Sequence, residues 1–472
     1  MCTSSAIAVK KKGDIYTDMF LSWWNHTERK EKFIQILMFF LIFGASLDLK
    51  GPLFGTPMSL AGLYIVYDCI KRKSLAGFYL PIRYWLPLAV FMGTVVLSSL
   101  VLGDRPSIHI AFQNVYRCLP FIVVTYLGKQ ADIKYAALLG AMASVLVSSA
   151  DLLYLTQYLG VKGRVGAFGK QVNNYATLLL GVLPVIFAAL QDGRIRTLKK
   201  IYFLQSIVAL LGLWSLWKTG SRGGMIGFFG GGIFVYGVIC FYRKRLKLFL
   251  TGFTICFAVT AFVLLAGISG GVTRHYDMER LHMLRSSYAM WQDHKLAGVG
   301  LANWQKEYSI NYLLKEEIEA EALQRYQAWK KATEQREAAT AEREAKQIAA
   351  WKQEAIKQQT AFDMPHNVVA WFFSTTGSIG GAGYVFFVCC YIWVFCKEMK
   401  RSDVAWIDAV GFWVFLAITI HGMVDAGIIY KAFARLLYLL MGLSISYYCL
   451  VGRQRFPEEG DCSGSKGHNG HD

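Results

Sequence analysis

Long apolar runs separated by short basic loops dominate the chain, and their lengths are those of membrane-spanning helices. Twelve runs stand out, at about 33–49, 56–70, 84–102, 108–127, 133–155, 172–190, 200–217, 223–241, 247–268, 367–396, 404–424 and 429–451. All but the short second one have the length that crosses a hydrocarbon core about 30 Å thick as a helix, the shape that pairs every backbone polar group internally. One stretch breaks the pattern. Positions 269–365 are polar, and from Leu301 to Met364 they contain neither Gly nor Pro. The alanine-, glutamate-, glutamine- and lysine-rich part, about Lys306 to Thr360, predicts helix. A single straight helix of that length would extend roughly 80 Å at 1.5 Å per residue, so a hairpin of two helices is expected. Positions 315–358 carry nine acidic and nine basic residues, with enough apolar positions (Leu323, Tyr326, Trp329, Ile348, Trp351, Ile356) for one seam between two helices. Such a pair is a lid or platform over a membrane site; a mobile spacer is the competing reading.

Composition agrees with this reading. With 54% hydrophobic and 17% charged residues and a mean hydropathy of +0.35, the 472-residue chain is too apolar for a soluble protein of its size. The net charge of +18 does not point to nucleic acid, because the basic residues recur in every second loop. Lys10, Lys11, Lys12, Arg29, Lys30 and Lys32 precede the first run, and Lys71 to Lys73, Lys129 with Lys134, Arg194 to Lys200, Arg243 to Lys247 and Lys397 to Arg401 repeat the signal. The positive-inside rule then puts both termini in the cytoplasm. The division that follows is a cytoplasmic tail at 1–32, spans one to nine at 33–268, an outer helical loop at 269–365, spans ten to twelve at 366–451, and a cytoplasmic disordered tail at 452–472. The charged leader and full-length first run predict an uncleaved first helix. None of the ten cysteines falls in the outer loop, so no disulfide framework is implied there.

Candidate chemistry gathers on the outer side. The loop Lys162 to Asn174 combines glycines with Arg164, Lys170, Asn173 and Asn174, and Lys218 to Gly224 places Arg222 at the start of a helix, where the dipole favours an anion. Each alone reads first as an ordinary glycine-rich turn. The large loop brings Arg274, Arg280 and Arg285 and ends at Pro365, His366 and Asn367. His421 and Asp425 stand four residues apart on one helical face, with Lys431 and Arg435 after them; they either orient one another or bind a ligand. Arg117 and Asp151, in or at the edge of spans, are functional candidates or internal partners of neighbouring helices. The glycines of the run at 223–241 suit close helix packing. Arg164, Arg222, Arg280, His366 and Asp425 come from five places, yet the topology puts them at one membrane face. Guanidinium groups fork onto phosphate oxygens, and a histidine beside them can take a proton from an attacking hydroxyl. The outer loops hold no paired carboxylates or His-x-x-x-His, so no metal and no cofactor is expected.

In these positions the chain resembles the bacterial O-antigen ligase and O-antigen polymerase superfamily. The matching pieces are Arg164 with Phe168-Gly169 through Asn173-Asn174, Ser221-Arg222-Gly223, Glu279-Arg280-Leu281 through Asp293-His294 to Gly298-Val299-Gly300, and His366-Asn367 before Gly377, Gly380 and Gly381. The chain departs from the family pattern at Lys295, where proline is usual, and in its long Gly/Pro-free insert. The resemblance implies a metal-independent, inverting glycosyltransferase with a GT-C-like fold, set in the bacterial inner membrane with its site facing the periplasm. Its donor would be a glycan on undecaprenyl pyrophosphate, and its acceptor, in the ligase branch favoured here, lipid A-core. A lipid-linked repeat unit (polymerase) or a protein Ser or Thr (O-oligosaccharyltransferase) are the alternative acceptors. By the same resemblance Arg222 and Arg280 bind pyrophosphate, His366 activates the acceptor, and Arg164 and Arg285 assist, with the roles of Arg280 and Arg285 open to exchange. Lys170, Asn174 and Asp425 complete the expected substrate-binding set. A transporter, the reading from another class, would place polar residues near the bilayer midplane and show an internal repeat, and neither is evident.

Overall fold

The computed structural model describes residues 28–48, 52–245, 276–332, 341–401 and 404–455, with 247, 250–252, 254 and 258 as isolated positions. The described residues form helices and turns, with no strand among them. The main helices are α1 (Arg29–Leu47), α2 (Pro52–Arg72), α3 (Ile82–Leu102), α4 (Arg105–Arg117), α5 (Leu119–Gly128), α6 (Lys134–Leu153), α7 (Val172–Ala189), α8 (Lys199–Lys218) and α9 (Arg222–Tyr242). They continue with α10 (Tyr276–Asp293), α11 (Trp304–Ile310), α12 (Lys315–Ala332), α13 (Ala341–Thr360), α14 (Val368–Met399), α15 (Trp406–Gly422) and α16 (Lys431–Arg455).

Among the described residues, nine helices are long and apolar enough to cross a membrane, where the hydrophobic pattern predicted twelve. α4 and α5 count as one of the nine, continuous through Cys118. Three expected runs are not among them, for separate reasons. α15 has 17 residues and is shorter than the others. In α1 the charged turn Arg29-Lys30-Glu31-Lys32 leaves only Phe33 to Leu47 apolar. The run at 247–268 lies largely outside the described residues, as does Arg274. The chain is a multi-pass membrane protein.

α7, α15 and α16 form the centre of the bundle, and 89% of the apolar window of α16 is enclosed by protein. α9 packs along α15 through glycine. A Cβ at Gly227 would lie 2.5 Å from the Ala417 carbonyl oxygen, and one at Gly232 would lie 2.5 Å from the Trp413 ring, so the two backbones meet where any side chain would separate them. α3 packs on α14, and at the end of the bundle away from His366 they share a buried carboxylate: Glu398 accepts from Tyr84 Oη at 2.7 Å and pairs with Arg83 and Arg401.

The 32 residues of α14 span roughly 48 Å at 1.5 Å per residue, more than a hydrocarbon core requires. The helix is interrupted at Gly377 (φ 61°, ψ −161°), and the turn after α10 fills the break. Ser378 and Ile379 donate to the carbonyls of Lys295 and Leu296 at 2.7 and 3.3 Å, while Val299 and Gly300 donate to those of Ser374 and Thr375, both at 2.9 Å. Backbone groups freed by the break are thus satisfied by a loop far away in sequence. Two glycines make this approach possible: a Cβ at Gly298 would sit 2.4 Å from the Thr375 carbonyl carbon, and one at Gly377 2.3 Å from the Leu296 oxygen. At Lys295 it is the carbonyl that holds α14, a group proline would also supply.

The long polar stretch folds into α11, α12 and α13, the last two packed side by side as a pair rather than one rod. Tyr326, Trp329 and Trp351 form their seam, with ring centroids 5.9 to 6.0 Å apart. At its base, Gln359 donates to the Glu279 carbonyl and to Tyr308, tying α13 to α10 and α11. His282 of α10, 3% exposed, lies 3.0 Å from Glu321 and 3.5 Å from Glu317 of α12.

Candidate active site

The site is assembled from four helix ends and two loops. The first component is the start of α9. Ser221 caps it, its Oγ accepting from Gly224 N at 3.2 Å, and Arg222 follows as the first helical residue, exposed at the positive end of the dipole. Gly223 has no room for a side chain: its Cβ would lie 2.2 Å from Val424 Cγ2 and 2.9 Å from His421 Nδ1. The sequence Ser-Arg-Gly-Gly is therefore a cap, a cation and two close approaches.

The loop before α7 is hooked onto this turn. Val165 N donates to the Lys218 carbonyl at 3.2 Å, Arg164 Nε donates to the Thr219 carbonyl at 2.9 Å, and another Arg164 nitrogen donates to Asn173 Oδ1 at 3.1 Å. Asp151 holds the loop from below, accepting from the amide of Phe168, a residue with φ of 55°. Its role here is to hold this backbone, not to pair with a cation. Arg117 likewise serves backbone, donating to the Ile429 carbonyl at 2.6 Å and to Asn114 at 2.7 Å.

The third component is the junction of α13 with α14. Asn367 caps α14 through Ala370 N at 2.9 Å and donates to the Met423 carbonyl at 2.9 Å. His366 just before it has φ of 50°, a conformation in which the following cap and Pro365 hold it against its own steric preference. The imidazole Nδ1 lies 3.3 Å from Asp425 Oδ1. Asp425 is 3% exposed, and its amide donates back to the His421 carbonyl at 2.9 Å. Burial alone would raise the Asp425 carboxyl, but the His366 hydrogen bond and the charges of His421 and Arg280 hold it below the usual carboxylate range. An ionised Asp425 accepts Nδ1–H, which leaves the lone pair on Nε2 of His366.

Arg280, half-buried on α10, is the fourth component; its charge acts on Asp425 and His421. Neither Arg222 nor Arg280 forms an ion pair with a carboxylate among the described residues. The other expected residues are placed differently. Arg285, one and a half turns on, pairs with Glu317 of α12 at 2.8 Å, and Lys170 pairs with Asp48 at 3.1 Å. Asn174 is half-buried in the first turn of α7. Sequence reasoning placed Asp425 with His421 by helical spacing; its hydrogen bond is instead to His366, 59 positions away, and no local pattern signals such a pair. Among the described residues no three His, Cys, Asp or Glu side chains are grouped to hold a metal ion.

No curated protein matches the chain. A family model described as O-antigen ligase matches residues 207–385, a stretch that contains Arg222, Arg280, Arg285 and His366 and stops before Asp425. That match, which spans the start of α9, the arginine-bearing α10 and the His366 junction, supports a likeness of this part of the chain to the O-antigen ligase superfamily.

Proposed function

We propose that the protein is an O-antigen ligase, a metal-independent inverting glycosyltransferase that moves a glycan from undecaprenyl pyrophosphate to a hydroxyl of lipid A-core at the periplasmic face of the inner membrane. The observation that carries the reading is the oriented His366–Asp425 pair beside two arginines with no carboxylate partner among the described residues. His366 Nε2 takes the proton of the acceptor hydroxyl as its oxygen attacks the anomeric carbon. Asp425 fixes the imidazole tautomer and stabilises the imidazolium that forms, the role a carboxylate plays behind a general-base histidine. The bond from the anomeric carbon to the pyrophosphate oxygen breaks as the new one forms, and a single displacement inverts the centre. The electron pair leaves on pyrophosphate, where Arg222, the start of α9 and Arg280 stabilise the growing charge. Arg164, bound to the same turn, steadies it, while Arg285 and Lys170 act through the α12 platform and the α1 end.

The α12–α13 pair over the site favours a bulky membrane-anchored acceptor, hence a ligase over a polymerase. The test is a lipopolysaccharide gel, with analysis of the lipid-linked pool, from cells lacking the gene and from cells restored with wild type or His366→Ala. Bare lipid A-core with long glycan left on its carrier in the deletion and His366→Ala strains is the expected result. Core bearing a single repeat would mean polymerase, and an unchanged pattern would refute both.

A further inference from the structure

His421 is a buried polar group with no structural task. It is 1% exposed at the end of α15, and neither ring nitrogen has a hydrogen-bond partner. The Asn173 backbone lies beside the ring without closing a hydrogen bond to either nitrogen. An imidazole that gives up water and closes no hydrogen bond is costly, and a leucine or phenylalanine would fill the same space without that cost. The ring is pressed against the first turn of α9: its Nδ1 is 2.9 Å from where a Gly223 Cβ would stand. That turn carries the Arg222 guanidinium and the amides of Arg222 and Gly223, which have no partner within the helix because they belong to its first turn. The charges that act on it are Asp425 from the following loop and Arg280 from α10, with His366 reaching it through Asp425; Arg222 precedes Gly223, the residue the ring is pressed against.

We propose that His421 is a further ligand of the anionic leaving group: its ring N–H completes, with Arg222 and the first-turn amides of α9, a pocket for a phosphate of the pyrophosphate. This rests on the transferase reading above and names the residue that reading leaves unused. Glycine at 223 permits this contact, since a side chain there would separate the imidazole from the helix start. An arriving phosphate oxygen would supply the acceptor the ring lacks, next to a cation that itself lacks a carboxylate partner among the described residues.

The test uses the full chain in lipid nanodiscs and inorganic pyrophosphate as probe, with binding read by calorimetry. Arg222→Ala is the reference for loss of the pocket. His421→Phe keeps the ring and removes the N–H, and is expected to raise the Kd about tenfold or more, equivalent to about 1.4 kcal/mol. His421→Asn, which restores a donor, is expected to stay within about threefold of wild type. His421→Leu provides a second donor-free variant should the phenylalanine disturb α9, and unchanged thermal unfolding shows which variants are folded. If folded donor-free variants bind as wild type does while Arg222→Ala does not, His421 is no ligand and the transferase reading stands. Wild-type protein that binds no pyrophosphate overturns both.

Discussion

Asp425→Asn isolates the orienting role of the carboxylate, because it preserves volume and removes only the charge and the acceptor. The Asp425 side chain is 4% exposed and that of His366 18%, so solvent screens the 3.3 Å contact little. A hydrogen bond to a charged group contributes about 1.5–3 kcal/mol net. At about 1.36 kcal/mol per decade, that loss from the transition state corresponds to a tenfold to about 150-fold lower rate. Asparagine can also donate to Nδ1 and so favour the tautomer with its proton on Nε2, which adds to the loss. The assay is transfer from an undecaprenyl-pyrophosphate glycan to lipid A-core in proteoliposomes, with kcat and donor KM measured separately. The fall should be in kcat. In a His366→Ala background the same substitution should cost nothing further, since Asp425 acts through the imidazole. A folded Asp425→Asn protein with kcat within threefold of wild type would refute the orienting role.

Four further outcomes follow from the geometry. Gly298→Ala places a Cβ 2.4 Å from the Thr375 backbone at φ of 69°, and should cost about 2–4 kcal/mol from the left-handed conformation and the clash together, seen as a lower unfolding midpoint in detergent with transfer lost. Asp151→Ala leaves the Phe168 amide without its acceptor and frees the Arg164 loop; a cost of about 1–3 kcal/mol should appear mainly as a higher donor KM. Gly223→Ala drives a methyl into Val424 and His421 and should abolish pyrophosphate binding while the far end of the bundle, read by protease protection, is unchanged. Because the folded Asp425 carboxyl sits below its ordinary 3.8, the unfolded chain takes up that proton first as pH falls. The stability Asp425 contributes is therefore complete above the unfolded value and disappears as pH drops through the lower folded value, so wild type and Asp425→Asn should converge in unfolding midpoint only below about pH 4.

The membrane class and the helical character of the long polar insert are legible in the order of the chain, because hydrophobic runs, basic loops and breaker-free stretches are local patterns. Arg222 and His366 stand out individually for the same reason: each stands at the start of a helix next to glycine or proline, whereas Arg280 stands out only as a basic residue where the long polar stretch begins. Nine of the twelve expected spans are long, apolar helices among the described residues; α15 is shorter and α1 begins in charged residues, since an apolar run does not by itself say how much of it is helix free of charge. What tertiary structure alone decided are the pairings: His366 with Asp425, Arg164 with the Thr219 carbonyl, Asp151 with the Phe168 amide, Arg285 with Glu317, and the turn at Lys295 to Gly300 inside the break of α14. These join positions 17 to 83 residues apart, and a hydrogen bond depends on where two atoms meet in space, which no local periodicity encodes.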